Sequence, residues 1–188
     1  FGIKKGPKHY LKNTNTIYLF FKDSNKSLKN VEYTSFPYLE LNNTRIIKES
    51  YILVIDDIFR SNPLNEEDFN NTLSKVEKEL TSINYSDTIY YKLHPSYNYD
   101  VKLQNLLKDY INNIFSDFKC YELNSSFILE SEIRNSKVKF IIGLSTVGFV
   151  CYKNNTNFIS YINLYDNKIK IDNYPEDYKK FIAKNSII

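Results

Sequence analysis

The pattern of apolar and polar positions divides the chain into a beginning of short elements and a regular strand–helix remainder. Thr16–Phe21 and Val31–Thr34 carry the β-branched and aromatic residues of strands and are separated by the polar stretch Lys22–Asn30. Gly2, Gly6 and Pro7, set among lysines, mark a turn-rich opening before them. Elements this short cannot close a core by themselves. Residues 1–48 are therefore expected to be the tail of a preceding domain, or a linker packed on the next one.

From Ser50 the texture changes. Tyr51–Ile55 is a continuous apolar run, as expected of a strand covered on both faces, and it ends in Asp56-Asp57. Beyond the breaker Pro63, Asn65 is placed to cap a helix with an acidic first turn (Glu66, Glu67, Asp68) and with Lys75 and Lys78 further on, which suits the helix dipole. Phe69, Leu73, Val76 and Leu80 recur at helical spacing and form its buried face. Thr88–Leu93 is the next strand, followed by a helix over about Asp100–Phe115 with Leu103, Leu106, Leu107, Tyr110, Ile111 and Ile114 as its apolar stripe. Lys119–Leu123 and Val138–Ile142 are two more strands, joined by a short helix, Ile128–Ile133, that Ser125 or Ser126 is placed to cap; Pro175–Ala183 is a terminal helix. Repeated β-α units over residues 49–188 predict an α/β fold, a Rossmann-like parallel sheet with flanking helices.

Composition narrows the classes. The 188 residues, 42% hydrophobic and 25% charged, suit a globular chain of one domain or one domain plus part of another. A start at Phe1 without any methionine leads to the expectation of a fragment or processed form, with room for a catalytic group upstream. The net charge is only +3 and the lysines are dispersed, so the basic face that nucleic acid needs is not announced. Cys120 and Cys151 lie in apolar surroundings that favour buried free thiols over a disulfide. With His9 and His94 the only histidines, neither a metal site nor a cofactor is expected. No apolar run approaches the roughly 20 residues that cross a bilayer, and no signal-peptide pattern opens the chain, so the segment is expected to be soluble.

Three stretches carry candidate chemistry. The strand Thr88–Leu93 runs into His94-Pro95, and proline, which forces its predecessor into an extended conformation and cannot join a ladder, stops the strand and presents the imidazole at its carboxyl edge. Ligands of α/β sheets bind at that edge, and histidine can give a phosphate a proton or a hydrogen bond near neutral pH; the plainer alternative is a capped structural histidine. The strand Val138–Ile142 leads into Gly143-Leu144-Ser145-Thr146, where a glycine, two hydroxyls and a helix N-terminus offer donors to a phosphate, although Ser-Thr is also an ordinary helix cap. Between them, Glu130 on the first turn of a helix is placed to accept ribose hydroxyls, or to be a solvated, dipole-favoured glutamate.

Tyr91-Lys-Leu-His-Pro95, Phe127-Ile-Leu-Glu130 and Phe140-Ile-Ile-Gly-Leu-Ser-Thr146, in this order, resemble the C-terminal nucleotide-binding half of bacterial GT-B sialyltransferases, the lipooligosaccharide sialyltransferases and polysialyltransferases of capsule. The resemblance covers roughly residues 50 to 165. It implies CMP-sialic acid as donor, a galactose- or sialic-acid-terminated glycan as acceptor, and inverting, metal-independent transfer. It also implies a bacterial cytoplasmic protein, able to sit at the inner face of the membrane, with a second copy as a further candidate partner. Carried over by motif, His94 meets the departing CMP phosphate as general acid or hydrogen-bond donor, Ser145 and Thr146 hold the same phosphate, and Glu130 binds the ribose. Lys92, Pro95 and Gly143 belong to the same substrate-binding motifs.

The departure is the acidic Asp/Glu-Asp/Glu-Gly motif that supplies the general base in those families. Asp56-Asp57 is followed by Ile58, not glycine. Adjacent strand side chains point to opposite faces, so at most one of the two, Asp57, serves as candidate base. Two alternatives stand beside this reading: a CDP-glycerol or CDP-ribitol transferase of the teichoic-acid type, and a non-catalytic nucleotide-binding module.

Overall fold

The computed structural model describes residues 16–19, 32–35, 45–57, 66–165 and 176–187. The chain divides into two compact units, Phe1–Glu40 and Leu41–Ile188. In the first, β1 (Thr16–Leu19) pairs in parallel with β2 (Glu32–Ser35). Phe20, Phe21 and Val31, expected in these strands, lie outside the described residues, as does the expected cap Asn65.

The second unit is a five-stranded parallel sheet in the order β5-β4-β3-β6-β7. Its strands are β3 (Ser50–Ile55), β4 (Thr88–Leu93), β5 (Lys119–Glu122), β6 (Val138–Ile142) and β7 (Ile159–Ser160). The first strand of the unit is the central one. From it the chain builds outward through β4 and β5, then returns to β6 on the other side, which makes the gap between β3 and β6 the topological switch point of a Rossmann-like sheet. The uninterrupted apolar run of β3 is explained by this position, since all six of its residues are buried.

On one face, Tyr51, Leu53 and Ile55 of β3, with Ile89, Tyr91 and Leu93 of β4, share a core with α1 (Glu66–Ile83) and α2 (Val101–Ile114). Helix α1 buries Phe69, Thr72, Leu73, Val76 and Leu80, as its period predicts. Helix α2 buries only Leu107 and Ile111 fully, with Leu103, Tyr110 and Ile114 packed half-exposed at the margin. Asp100 caps it, its Oδ1 accepting the Leu103 N–H at 3.1 Å.

The connection from β5 to β6 departs from expectation. The helix predicted over Ile128–Ile133 is a single 3-10 turn, Leu129–Glu132, without a side-chain cap, and Ser126 instead donates its N–H to Asn124 Oδ1 at 2.9 Å. A buried carboxylate takes the place of a helical ladder here. Glu132 is fully buried and accepts the Arg45 N–H at 2.5 Å and the Asn135 amide at 2.7 Å. Strand β5 is the edge of the sheet, with three of its four residues exposed.

Beyond β6, α3 (Thr146–Lys153) packs against α4 (Glu176–Lys184), where Phe149 stacks on Tyr178 with centroids 4.0 Å apart and Tyr152 hydrogen-bonds Asp177. The end of the chain closes on the sheet, Ile187 donating to the Ser160 carbonyl at 2.8 Å. Both cysteines are free, Cys151 buried and Cys120 half-buried. Among the described residues no helix is long and apolar enough to cross a membrane.

Helix α3 owes its seat to Gly148, where an added Cβ would lie 2.7 Å from the Tyr178 hydroxyl oxygen. A Gly148→Ala variant gains helix propensity of about 1 kcal/mol but overpacks this contact, at a cost of about 1–3 kcal/mol. A lowered thermal midpoint is expected, and a raised one would show that Tyr178 yields its place freely.

Candidate active site

The two aspartates after β3 brace its two neighbours. Asp56, only 5% exposed, turns toward β6 and accepts the backbone N–H of Leu144. Asp57, half-buried, turns toward β4 and accepts the hydroxyl of Ser96. The expected divergence of adjacent side chains is therefore realised, and it joins three strand ends at one edge of the sheet.

Three tyrosines surround the Asp56 side. Tyr97 donates to the Asp56 carbonyl at 2.8 Å, and Tyr161 donates to the Val54 carbonyl at 2.7 Å. Burial, and secondarily the Asp56 carboxylate, pushes the Tyr161 and Tyr165 phenols well above their ordinary range, so both remain neutral. Gly143 is glycine because there is no space for more: a Cβ there would lie 2.5 Å from Asp56 Oδ2 and 2.6 Å from the Tyr161 ring.

Strand β4 ends at Leu93, as the following proline predicts. His94 is extended (φ −60°, ψ 140°), donates its N–H to the Ile55 carbonyl at 2.8 Å, and leaves its side chain exposed above the edge. Pro95 opens a 3-10 turn, Pro95–Tyr99, which returns Ser96 to the ring: Ser96 Oγ is 2.9 Å and Ser96 N 3.2 Å from His94 Nδ1.

At the end of β6, Ser145 is the N-cap of α3, its Oγ accepting the Val147 N–H at 3.3 Å. Capping uses an oxygen lone pair and leaves the hydroxyl proton to donate. Thr146, half-exposed, is the first residue of the helix. The structure thus gives Ser145 the ordinary cap and a donor at a helix N-terminus together.

Lys92 and Glu130 are linked. The Lys92 ammonium donates to the carbonyls of Ser125, at 3.1 Å, and Phe127, tying the loop after β5 to the end of β4. Desolvation lowers its pKa, and the attraction of Glu130 works against that shift. Glu130 also acts on Cys151 in α3, whose thiol is pushed up to about 12, chiefly by burial. Glu130 lies on a 3-10 turn and not on the helix expected for it.

The edge so assembled holds Asp57, His94 and Pro95 on one side of the switch point and Gly143, Ser145 and Thr146 on the other, with Lys92 bracing the loop that carries Glu130. Sequence reasoning passed over Ser96 and Asp56. The signal for Ser96 was present, a hydroxyl two residues after His94 across a proline, the spacing at which a turn brings it back. Asp56 had none, because its partner is a backbone N–H 88 positions away. Among the described residues, no three His, Cys, Asp or Glu side chains gather as a metal site would require.

The sheet is Rossmann-like, and comparison with known proteins identifies the chain as sialyltransferase-like. The chain belongs to the alpha-2,8-polysialyltransferase (POLYST) family, whose model matches residues 7–182 and so extends on both sides of the stretch that carries the motif resemblance. No curated protein sequence matches the chain.

Asp56→Ala takes the acceptor from the half-buried Leu144 N–H, so an unfolding free energy lower by about 1–3 kcal/mol is expected in denaturant titration. Asp56→Asn keeps an acceptor oxygen and should lose less. An alanine variant as stable as the parent would show that Leu144 finds another acceptor.

Proposed function

We propose that this chain supplies the donor-binding half of a GT-B sialyltransferase that moves sialic acid, with inversion, from CMP-sialic acid to a glycan hydroxyl. The observation that carries the reading is the placement of His94 and of the Ser145-capped helix at the carboxyl ends of β4 and β6, the two neighbours of β3, in a chain of the polysialyltransferase family. Of the two acceptors considered, the alpha-2,8 family favours the one ending in sialic acid.

In this reading the CMP phosphate lies between His94 and the first turn of α3. The bond from the anomeric carbon to the phosphate oxygen breaks, its electron pair goes to that oxygen, and the acceptor hydroxyl oxygen forms the new bond as its proton passes to a base. Negative charge grows on the phosphate as positive charge grows on the sugar ring. Donors aimed at that oxygen, the His94 imidazole, the Ser145 and Thr146 hydroxyls and the α3 N-terminus, therefore stabilise the transition state more than the ground state. Glu130, held near Lys92, accepts the ribose hydroxyls. Asp57 is bonded to Ser96, and we give it the role argued below, leaving the base to the acceptor side, of which residues 1–48 would be the tail. The enzyme would work in the bacterial cytoplasm at the inner face of the membrane, where capsule-type acceptors end.

Calorimetric titration with CMP, with UMP and CDP-glycerol as comparators and no added divalent metal, tests the nucleotide assignment. CMP is expected to bind best, and Glu130→Ala to weaken it about tenfold, a loss of about 1.4 kcal/mol. His94→Ala and Ser145→Ala are each expected to lower sialyl transfer by about 10²-fold or more, and Ser145→Ala, which also removes the cap of α3, to lower stability by about 1 kcal/mol. Preference for CDP-glycerol would transfer the chain to the teichoic-acid chemistry, and full activity of both variants would remove the phosphate site.

A further inference from the structure

We infer that Ser96 is a positioning residue for His94, and that the Asp57 carboxylate acts on the histidine through it, the three side chains forming one proton-ordered chain. The inference rests on the reading of His94 as the group that meets the departing phosphate.

Position alone leaves Ser96 little choice. His94 N–H is fixed to the Ile55 carbonyl at 2.8 Å, and the buried Tyr97 hydroxyl is fixed to the Asp56 carbonyl at 2.8 Å. Both anchors lie on the exit of β3. Residue 96, bracketed between them across a proline-initiated turn, is delivered to the gap between Asp57 and the His94 ring.

The protons then order themselves by strength of bond. A serine hydroxyl has one proton, and a carboxylate, which is acceptor-only when ionised, draws it more strongly than a neutral ring nitrogen does. With that proton on the Asp57 side, Ser96 Oγ presents lone pairs to His94 Nδ1 at 2.9 Å, a separation that calls for a proton on Nδ1. The Ser96 backbone N–H donates to the same nitrogen at 3.2 Å, the cap of the 3-10 turn, which fits the opposite tautomer; it is the longer of the two and is not assisted by charge. Nδ1 therefore donates inward, and Nε2 is the nitrogen that faces chemistry. A second proton on Nε2 gives an imidazolium whose charge is balanced through Ser96 by the Asp57 carboxylate. When Nε2 passes that proton to the phosphate oxygen, the ring stays in its place as the Nδ1–H tautomer. This arrangement suits a group that must protonate a leaving group repeatedly without reorienting.

The chain contains only two histidines, His9 and His94, so ring-nitrogen NMR can assign the tautomer directly. In the parent protein with a neutral ring, His94 is expected to carry its proton on Nδ1; Ser96→Ala should return it to the Nε2–H form that free imidazole side chains favour, and Ser96→Thr should keep it on Nδ1. An Nε2–H ring in the parent protein overturns the inference. In steady-state transfer by the full chain, Ser96→Ala is expected to lower kcat about tenfold with donor KM within about twofold, and to cost nothing further in a His94→Ala background. Asp57→Asn, which keeps an oxygen for Ser96 but loses the charge, should lower kcat several-fold, and likewise have no effect when His94 is absent. Equal losses in both backgrounds overturn the relay and leave the phosphate site standing. A fully active His94→Ala variant instead removes the phosphate site, whatever tautomer the spectra report.

Discussion

The bond on which the rest depends is the one between the buried Asp56 carboxylate and the backbone N–H of Leu144. A carboxylate taken out of water is expensive unless it is hydrogen-bonded, and here it is held by a backbone donor of the next strand's exit, with neutral tyrosines packed around it. The arrangement has one geometric requirement, that the residue before Leu144 carry no side chain, and Gly143 meets it. Once Leu144 is fixed, Ser145 follows in the extended conformation of an N-cap, and α3 starts where the switch point needs a helix terminus.

The mirror of this bond runs to the other side of β3. Asp57 fixes Ser96, and Ser96 fixes the ring of His94. Two successive residues at the end of one fully buried strand thereby hold the exits of both its neighbours. Because side chains alternate along an extended chain, a single strand can reach both ways only with two adjacent polar residues. The Asp-Asp pair therefore braces the sheet edge on both sides of β3.

The same economy applies to the polar residues around them. Lys92 spends its ammonium on two loop carbonyls, Glu132 its carboxylate on a backbone N–H and an amide, and Tyr97 its hydroxyl on the Asp56 carbonyl. Each pairs a backbone or amide group of an irregular connection. Among the described residues of this edge, the His94 side chain is exposed and Ser145, Thr146 and Glu130 are half-exposed.

Much of this was written in local pattern. The continuous apolar run of β3 announced a strand buried on both faces, the period of α1 named its buried side chains, and the proline after His94 located the end of β4; in each case the deciding forces act between near neighbours or through burial of a whole face. The helix expected over Ile128–Ile133 was not such a case, because a 3-10 turn replaced it once Glu132 found Arg45 and Asn135. The sequence by itself determined the strands, the long helices and the presence of a histidine and a Ser-Thr pair at strand ends. Only the tertiary structure decided which aspartate faces which neighbour and that Ser96 returns to the ring, since those choices rest on bonds to partners 39 and 88 positions away, and a hydrogen bond at that range leaves no periodic trace in the chain.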